Sequence, residues 1–548
     1  MTGETLPAAR PAATVVVLRD AGQGLEVLLL RRAERGDHNS GAWVFPGGLV
    51  DAADAHCAAH AQGIDATTAA ARLGLAEGAL DYYIAAVREC FEEAGLLFAA
   101  AAPPADASAR LNDWRVRLQR GSCTLAHLCA AEGVTLALDE LVYLSHWVTP
   151  LGRGKRFDTR FFVARAPLGQ AAQHDDGELV EQRWLRPADA LQADLKLMTP
   201  TRKTLEALVR FEAVDDLLAW ARTPRVVPMT MPRVGHGHQG PRPVTPDEPA
   251  WAELGRLDPH GHGQASYDIL PGVAVRLSPR VIRVTANNGS VMTGPGTNSY
   301  LVGGGPANVW AAIDPGPADT AHVDALLAAA PGPIRWIFAT HTHLDHSPAC
   351  ALLAARTGAP VLGRIAAFPE WQDGGFAPDR LLAGGETFRL DEGVTLAVIH
   401  TPGHASNHLC YRLEEEKTLF TGDHVMQQST VVINPPDGDM AAYLGSLRAL
   451  LGEDLDWLAP GHGFLMAPPR RAFEAIIAHR LKREGKVAEA LQVLGPAAEE
   501  TLLARVYDDV PARMHPVALR SLRAHLLKLR DEGRAHESLG RWSTVAPA

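Results

Sequence analysis

The pattern of apolar and polar positions divides the chain into segments with different predicted structure. Near the N-terminus, β-rich runs at 14–20 and 25–33 flank the short stretch AGQG and predict a hairpin. Two further β-rich runs, 141–150 and 156–166, follow an alanine-rich insertion. Helical patterns then continue to about residue 222, where we expect the first domain to end.

The rest of the chain predicts a linker, a layered domain and a helical tail. Residues 223–250 are dense in Pro, Gly and His and have little periodicity, which is typical of a linker. Strand-like and helical runs then alternate to about residue 470, which favours an α/β or α+β domain. The predicted domains are residues 10–222, 251–470 and a largely helical lobe at 471–548.

Composition places the chain among globular proteins of several domains. Its 548 residues are too many for one core, and 47% are hydrophobic and 21% charged. A net charge of −11 argues against strong non-specific nucleic-acid binding, because phosphate contacts need Lys and Arg. The six cysteines lack CxxC spacing, which favours reduced thiols. With no signal-peptide pattern and no apolar run of membrane-spanning length, we expect a cytoplasmic protein with no membrane partner.

The segment AAVRECFEEAG, residues 85–95, concentrates charge on a half-apolar helix. Glu89, Glu92 and Glu93 are spaced i, i+3, i+4, so their carboxylates share one face. Like charges at this spacing repel one another unless they bind a cation. Magnesium is the natural candidate because it prefers oxygen ligands. The alternative is a solvated acidic face.

This segment resembles the second half of the Nudix box. The first half is in VFPGGLVDAAD, which provides Gly48 and, six positions later, Asp54 where the family usually has Glu. An insertion of 26 residues, 55–80, splits the box between Asp54 and Arg88. The split box, together with SHWVTP and RFDTRFF, resembles the branch of Nudix hydrolases related to the peroxisomal coenzyme A diphosphatase.

The resemblance implies an α/β/α sandwich that hydrolyses a nucleoside diphosphate derivative, with a coenzyme A-like substrate favoured. It implies that Glu89, Glu92 and Glu93 hold magnesium, or manganese as the alternative, and that Glu89 and Glu92 are catalytic. A domain that only senses a nucleotide is the other possibility. The supporting residues would be Gly48, the brace formed by Arg88 and Asp54, and Glu178 or Glu181 as a weaker candidate for a loop base.

A second cluster of ligand-type side chains follows a β-rich run in IRWIFATHTHLDHSPA. A strand end and a short loop can direct His341, His343, Asp345 and His346 towards one point. Imidazole and carboxylate groups together suit zinc, or iron or manganese where oxygen ligands dominate.

The HxHxDH pattern resembles that of the metallo-β-lactamase superfamily, and the other family ligands follow in order in HTPGHAS, LFTGDH and LAPGHG. The resemblance covers about residues 270–470 and implies an αββα sandwich with two metal ions, with zinc favoured. Asp345 and Asp423 would be catalytic. His408 and Asp314 would contact the ligands or the substrate, or have only structural roles. The implied ligands are His341, His343 and His404 for one ion, Asp345, His346 and His462 for the other, and Asp423 between them.

The helical tail resembles the winged-helix-like lobe of the mitochondrial β-lactamase-like protein 2 group, in which endoribonuclease activity on single-stranded RNA is attributed to at least one member. Residues 476–548 contain 12 Lys and Arg against 9 Asp and Glu, an excess of only three. A lobe that only shapes the metal cleft is an equal alternative. The sequence thus predicts a bifunctional metal-dependent hydrolase, whose second domain acts on RNA or, alternatively, is a thioesterase of the glyoxalase II type.

Overall fold

The computed structural model describes residues 8–34, 39–101, 107–175, 177–427 and 430–545. The chain divides into two compact units. The first runs to Val234 and includes His260–His262, and the second contains Gly235–Pro259 and the residues from Gly263 onwards. All six cysteines are free thiols. None of the helices in the described ranges combines the length and apolar character needed to cross a membrane.

The first unit is built on one mixed sheet. The predicted hairpin forms from β1 and β2, in which Leu18 pairs with Val27. The strand order is β10-β7-β8-β1-β2-β3, with β4 paired to β1 and β9 to β2. The strands are β1 Arg10–Ala21, β2 Gly24–Arg32, β3 Trp43–Val44, β4 Gly47–Leu49, β5 Ala61–Gln62, β6 Leu136–Ala137, β7 Val142–Val148, β8 Phe157–Arg165, β9 Leu179–Leu185 and β10 Met229–Thr230. The helices are α1 Ala66–Leu73, α2 Ala79–Ala94, α3 Ser108–Gln119, α4 Leu125–Glu132, α5 Pro187–Gln192, α6 Thr199–Leu208 and α7 Val214–Arg222.

Helices cover both faces of this sheet. Side chains alternate between the two faces along a strand. Val15 and Val17 therefore pack on the α2 side, whereas Val16 and Leu18 pack with α6 and α7. The result is the predicted α/β/α sandwich.

The insertion 55–80 is a folded layer beside α2. Its residues complete a 3-10 helix that begins at Asp54 (Asp54–His60) and form the strand β5 and the helix α1, and β5 pairs in parallel with β6. Cys57 and Leu73 from this insertion belong to the same buried core as α2. Helix α2 begins after Gly78 and ends at Gly95, both with the positive φ that glycine adopts without strain. The insertion therefore separates the two halves of the Nudix box in sequence, while Asp54, which precedes it, stays next to α2.

The predicted linker contains three short strands. β10 joins the sheet of the first unit in parallel to β7. The other two strands, β11 Arg233–Gly235 and β12 Arg242–Val244, pair with each other. Helix α8, Trp251–Leu257, follows.

Two facing sheets form the core of the second unit. One sheet has the order β13 to β19 and the other β20 to β24. Val302 and Phe338 from the first sheet pack against Leu396 and Tyr411 from the second. The strands are β13 Ala274–Ser278, β14 Val281–Thr285, β15 Asn298–Gly304, β16 Val309–Ile313, β17 Ile334–Phe338, β18 Val361–Gly363, β19 Arg380–Leu381, β20 Thr387–Asp391, β21 Val394–His400, β22 Leu409–Leu413, β23 Thr418–Gly422 and β24 Trp457–Pro460.

Helices cover the outer faces of both sheets and also form the C-terminal lobe. α9 and α10 pack on the first sheet and α11 and α12 on the second, which gives the predicted αββα sandwich. In the lobe, α12, α13 and α14 pack around Leu491, Leu522 and Trp542 beside a two-stranded ribbon. The elements are α9 Thr320–Ala329, α10 Ala349–Thr357, α11 Met440–Leu450, α12 Pro469–Leu494, α13 Glu499–Val506, α14 His515–Asp531, β25 Ala535–Ser538 and β26 Arg541–Thr544.

Candidate active sites

Arg88 is the centre of a hydrogen-bond network on α2. Its Nε and Nη2 donate to the two carboxylate oxygens of Asp54 at 2.7 and 3.1 Å, and Nη2 also donates to the Leu49 carbonyl at 2.7 Å. Its Nη1 lies 2.8 Å from Glu89 and 3.5 Å from Glu92. Burial opposes the charge, but Asp54 and Glu89 raise the pKa of Arg88 above its usual value. Aspartate at position 54 therefore reaches the arginine, although its side chain is shorter than glutamate.

The glycine-containing strand β4 closely approaches the glutamate face of α2. The backbone N–H of Gly47 donates to Glu93 Oε2 at 2.8 Å. The Glu89 carboxylate lies over Gly48, so close that an added Cβ would be 2.5 Å from it. Only glycine permits this approach. Glu92 has the loosest restraint of the three glutamates, a 3.5 Å contact with Arg88, which leaves its carboxylate available to a ligand.

The partly buried glutamates carry more negative charge than their surroundings favour. Burial raises the pKa of Glu89 to about 7. The Arg88 charge opposes this shift, and the Glu92 charge adds to it. Burial and then Glu89 raise the pKa of Glu93 well above its usual value. A divalent cation with a preference for oxygen ligands would relieve this repulsion, so the residues fit such an ion. Within the described ranges of the chain, however, the three carboxylates share a face without converging as closely as the histidine groups of the second unit.

The structure separates the two candidates for a loop base. Glu178 pairs with Arg32 at 2.5 Å and is close enough to Glu93 to raise its pKa. Glu181 instead pairs with Arg31, and its strand register places it on the sheet face opposite α2. Glu178 therefore belongs with the glutamate site and Glu181 does not.

We expect the Asp54→Ala variant to destabilise the first unit. Removing Asp54, which is 1% exposed, leaves the Arg88 guanidinium without its main partner, at a cost of about 3 kcal/mol. Urea unfolding should show a lower midpoint for the first unit, together with weaker magnesium binding. Asp189→Ala removes an exposed pair with Arg186 and should leave both quantities unchanged. An unchanged midpoint in Asp54→Ala would show that Arg88 is not braced by this carboxylate.

The candidate ligands of the second unit follow the carboxyl ends of strands. The HTHLDH loop, residues 341–346, follows β17, and His404 lies between β21 and β22. Asp423 directly follows β23, and His462 follows β24, which runs parallel to it. Because these strand ends meet at one end of the sandwich, residues far apart in sequence come together.

The first group of ligands consists of three histidines. His341 Nε2 is 2.9 Å from His343 Nδ1, and His404 Nε2 is 3.0 Å from the same Nδ1. These three nitrogens lie within 4.8 Å of one another. Neutral imidazoles at this spacing are suitable ligands for zinc or a similar ion.

The second group combines a carboxylate with two histidines. Asp345 Oδ2 is 3.4 Å from both His346 Nε2 and His462 Nε2. Asp423 lies between the groups: its Oδ1 is 3.2 Å from His462 and 3.4 Å from His346, and its Oδ2 is 3.8 Å from His404. The seven predicted ligands thus form one continuous cluster with Asp423 at its centre.

Outer hydrogen bonds fix the orientation of the imidazoles. Three histidines use Nδ1 for a bond to an acceptor outside the cluster, which leaves the lone pair of Nε2 directed inwards. Two atoms that face the cluster, His346 Nε2 and Asp423 Oδ1, are buried without a hydrogen-bond partner, and a cation would satisfy both. The donor sets therefore fit two metal ions. The outer acceptors are Asp314 Oδ2 for His346 at 2.9 Å, the Val432 carbonyl for His404 at 2.8 Å and the Gly296 carbonyl for His462 at 3.1 Å.

The two ligand groups differ in electrostatics. Burial, followed by repulsion from neighbouring imidazoles, lowers the pKa of His341 and His343, so both are neutral. Burial also opposes charge on His462, but Asp423 and Asp345 outweigh it and raise its pKa to about 9. The carboxylate-containing group therefore attracts positive charge strongly, as expected of a cation site.

Asp314 and His408 have different positions relative to the ligands. Asp314 accepts hydrogen bonds from the Thr340 N–H and hydroxyl, both at 2.7 Å, and from the ring of His346. It is thus a direct support of a ligand. His408 is buried, with its Nδ1 2.9 Å from the Thr401 hydroxyl, and its ring lies 5.1 Å from that of His341. Thr340 and the Val432 carbonyl were not predicted, because a hydroxyl donor and a backbone carbonyl carry no motif of their own.

Exposed apolar side chains lie on three loops of the second unit that contain a ligand or contact one, through Thr297 and Asp345 or through Gln372 and His343. Leu344, within the ligand motif itself, is 62% exposed, and Trp371 is 64% exposed. The Trp371 loop is joined to the cluster by a β-bridge between Gln372 and His343. We call this set the apolar rim. It consists of Val291, Met292, Leu344, Ile365, Phe368 and Trp371.

Four family models match the chain. The NUDIX domain model matches residues 8–115 and the NUDT19 Nudix domain model residues 66–197. The metallo-beta-lactamase superfamily model matches residues 292–462, and the beta-lactamase associated winged helix domain model residues 499–542. These matches confirm the predicted combination of folds.

Known proteins are similar to parts of the chain. The beta-lactamase-like protein 2 homolog of Drosophila melanogaster is 31% identical over 286 residues, 49% of this chain and 94% of that protein. The atrochrysone carboxyl ACP thioesterase of Aspergillus fumigatus is 32% identical over 262 residues, 44% of this chain and 78% of that protein. A solved NUDIX hydrolase from Alicyclobacillus acidocaldarius is 28% identical, covering 39% of this chain and 97% of its own, with a TM-score of 0.32. The chain belongs to the metallo-β-lactamase superfamily and also carries a Nudix domain, so it is a hydrolase.

Proposed function

We propose that the chain is a bifunctional hydrolase with a separate metal-dependent site in each unit. In the first unit, the glutamate face of α2 would hold magnesium, or manganese, and cleave a nucleoside diphosphate derivative, with a coenzyme A-like compound favoured. The observation that supports this is the partly buried, mutually repelling set of carboxylates braced by Arg88. Glu92 is the residue best placed to accept a proton from water, since Glu93 is engaged by the Gly47 N–H.

In the second unit, the histidine and aspartate cluster would hold two divalent ions, with zinc favoured. Bound there, such ions activate water and neutralise charge on a leaving oxygen or sulfur. The Asp345 carboxylate accepts a hydrogen bond from Thr297 Oγ1 at 3.3 Å, which fixes its direction. Asp345 would take the proton of the attacking water. The first candidate substrate is a phosphodiester in single-stranded RNA, which the winged-helix lobe would help to bind.

The apolar rim favours a second candidate, an acyl thioester. Leu344 and Trp371 offer apolar surface beside the cluster, which suits an acyl chain and has no role in holding phosphates. Several similar proteins are named as thioesterases of acyl carrier protein substrates. In the lobe, Arg483 pairs with Asp509 and Lys486 with Asp508, so part of its positive charge is already neutralised.

A substrate panel with a salt series tests these proposals. Coenzyme A, ADP-ribose, a dinucleoside polyphosphate, single-stranded RNA and an acyl-glutathione would each be incubated with the full chain containing magnesium and zinc. We expect turnover of at least one diphosphate and one further substrate. RNA cleavage would lose activity steeply between about 50 and 200 mM salt, because it depends on phosphate contacts, whereas thioester hydrolysis would change little. Nucleotide binding without turnover would show that the Nudix domain is a sensor, and no turnover of RNA or thioester would refute both candidates for the second unit.

A further inference from the structure

The loop that supports the ligand His404 is itself held by the C-terminal helix. His404 Nδ1 donates to the carbonyl of Val432 at 2.8 Å. One residue earlier, the carbonyl of Val431 accepts a hydrogen bond from Nη2 of Arg480 on α12. Arg480 is 3% exposed and lies with its guanidinium 5.5 Å from the ring centre of Tyr443.

From this connection we infer that Arg480 is a positioning residue for the metal centre. This inference rests on the proposed metal-dependent function of the second unit. Arg480 fixes the Val431–Val432 backbone, and that backbone fixes the tautomer and direction of the His404 imidazole. The C-terminal lobe thereby controls the affinity of the His341, His343 and His404 group for its ion.

The burial of Arg480 supports this role over a general role in packing. A guanidinium is costly to bury, and here Nη2 donates to a loop carbonyl rather than to a carboxylate, while Nε has no hydrogen-bond partner. The neighbouring side chains Val431 and Ile433 are buried in the same apolar core as α11 and α12. The loop is thus anchored at both sides of Val432, and its carbonyl cannot turn freely away from His404.

The second group of ligands does not depend on this loop. His346 is oriented by Asp314 and His462 by the Gly296 carbonyl, and neither acceptor belongs to the Val431–Val432 loop. Loss of the Arg480 contact should therefore weaken one ion and leave the other. Outer-shell partners of metal ligands typically change affinity by about 10- to 100-fold.

The test is a zinc titration of the metal-free full chain in the presence of millimolar magnesium, which keeps the glutamate site filled. Wild type should bind two zinc ions. In Arg480→Met we expect one of them to bind about 10- to 100-fold more weakly, with the other unchanged, and Arg480→Lys, which keeps a charged donor, should recover part of the affinity. Cobalt in place of zinc gives a visible spectrum that reports the altered ligand geometry independently of activity.

Arg470→Met is the matched control. Arg470 lies on the same helix and also binds a backbone carbonyl, but its side chain is 66% exposed and that carbonyl belongs to Leu451, outside the Val431–Val432 loop. If Arg480→Met binds two zinc ions with wild-type affinities, the inference about Arg480 is overturned, but the proposed metal centre is not. A wild-type chain that binds no zinc would overturn the proposed metal centre and the inference with it. If Arg480→Met does not fold, Arg480→Gln, which retains an N–H donor without charge, gives the same comparison.

Discussion

Replacing Asp345 by Asn is expected to abolish hydrolysis by the second unit while leaving the diphosphatase intact. The loss should be about 10³-fold in kcat, because Asn cannot accept a proton and offers one oxygen fewer to the cluster. Burial opposes ionisation of Asp345, but His346 and His462 lower its pKa below the usual range, so it is a carboxylate at neutral pH. Initial rates on the active panel substrates, together with zinc content, provide the measurement.

The control for this variant is Asp324→Asn. Asp324 is exposed and pairs with Arg356 on the surface of the same unit, so its replacement should not alter either activity. Loss of diphosphatase activity in Asp345→Asn would mean that the two sites are not separate. If Asp345→Asn retained full activity on RNA or thioester, Asp345 would not be a catalytic residue.

Motif spacing was informative wherever chemistry requires a fixed set of side chains close together. The HTHLDH loop, His404, Asp423 and His462 were predicted in order, and the structure brings their ligand atoms into one cluster. The reason is physical: each follows a strand end, and the ends of parallel strands meet. Both sandwich folds, which the family resemblances implied, are confirmed, and the apolar side chains of each sheet lie on the faces that pack against helices or against the other sheet.

Features that depend on register or on backbone geometry could not be predicted in this way. Glu178 and Glu181 are equivalent in the sequence, and only the register of β9 against β2 distinguishes them. The resemblance to the Nudix box implied the pairing of Asp54 with Arg88, but no local pattern specified the 3-10 helix that begins at Asp54. The apolar rim is scattered over three loops, and exposed Leu or Trp residues have no periodicity that would identify them.

The role of the C-terminal lobe also could not be predicted from the sequence. The sequence offered two alternatives, a basic surface for RNA or a body that shapes the cleft, from a charge excess of only three. The structure adds a third feature, the hydrogen bond from Arg480 to the loop of Val431 and Val432. A side chain that acts through a backbone carbonyl leaves no motif, because any residue can provide that carbonyl.

The Glu92→Gln variant is expected to eliminate diphosphatase activity, with a fall of about 10³-fold in kcat and weaker magnesium binding. Glu92 is the least restrained carboxylate of the α2 face, since Glu89 is tied to Arg88 at 2.8 Å and Glu93 to the Gly47 N–H at 2.8 Å. Its pKa is raised by burial, so removing its charge also reduces repulsion within the site. The protein should therefore stay folded while losing turnover, which separates catalysis from stability.

Glu178→Gln and Glu181→Gln form a matched pair for this prediction. Glu178 interacts with the glutamate site, so its amide variant should lower kcat, by a smaller factor than Glu92→Gln. Glu181 is on the opposite face of the sheet, paired with Arg31 and Arg183, and its variant should keep wild-type kcat. The rate of diphosphate hydrolysis, measured across magnesium concentrations, distinguishes the Glu92→Gln, Glu178→Gln and Glu181→Gln variants. Equal losses in Glu178→Gln and Glu181→Gln would contradict the assignment of faces, and an active Glu92→Gln would show that the proton acceptor is another member of the glutamate face.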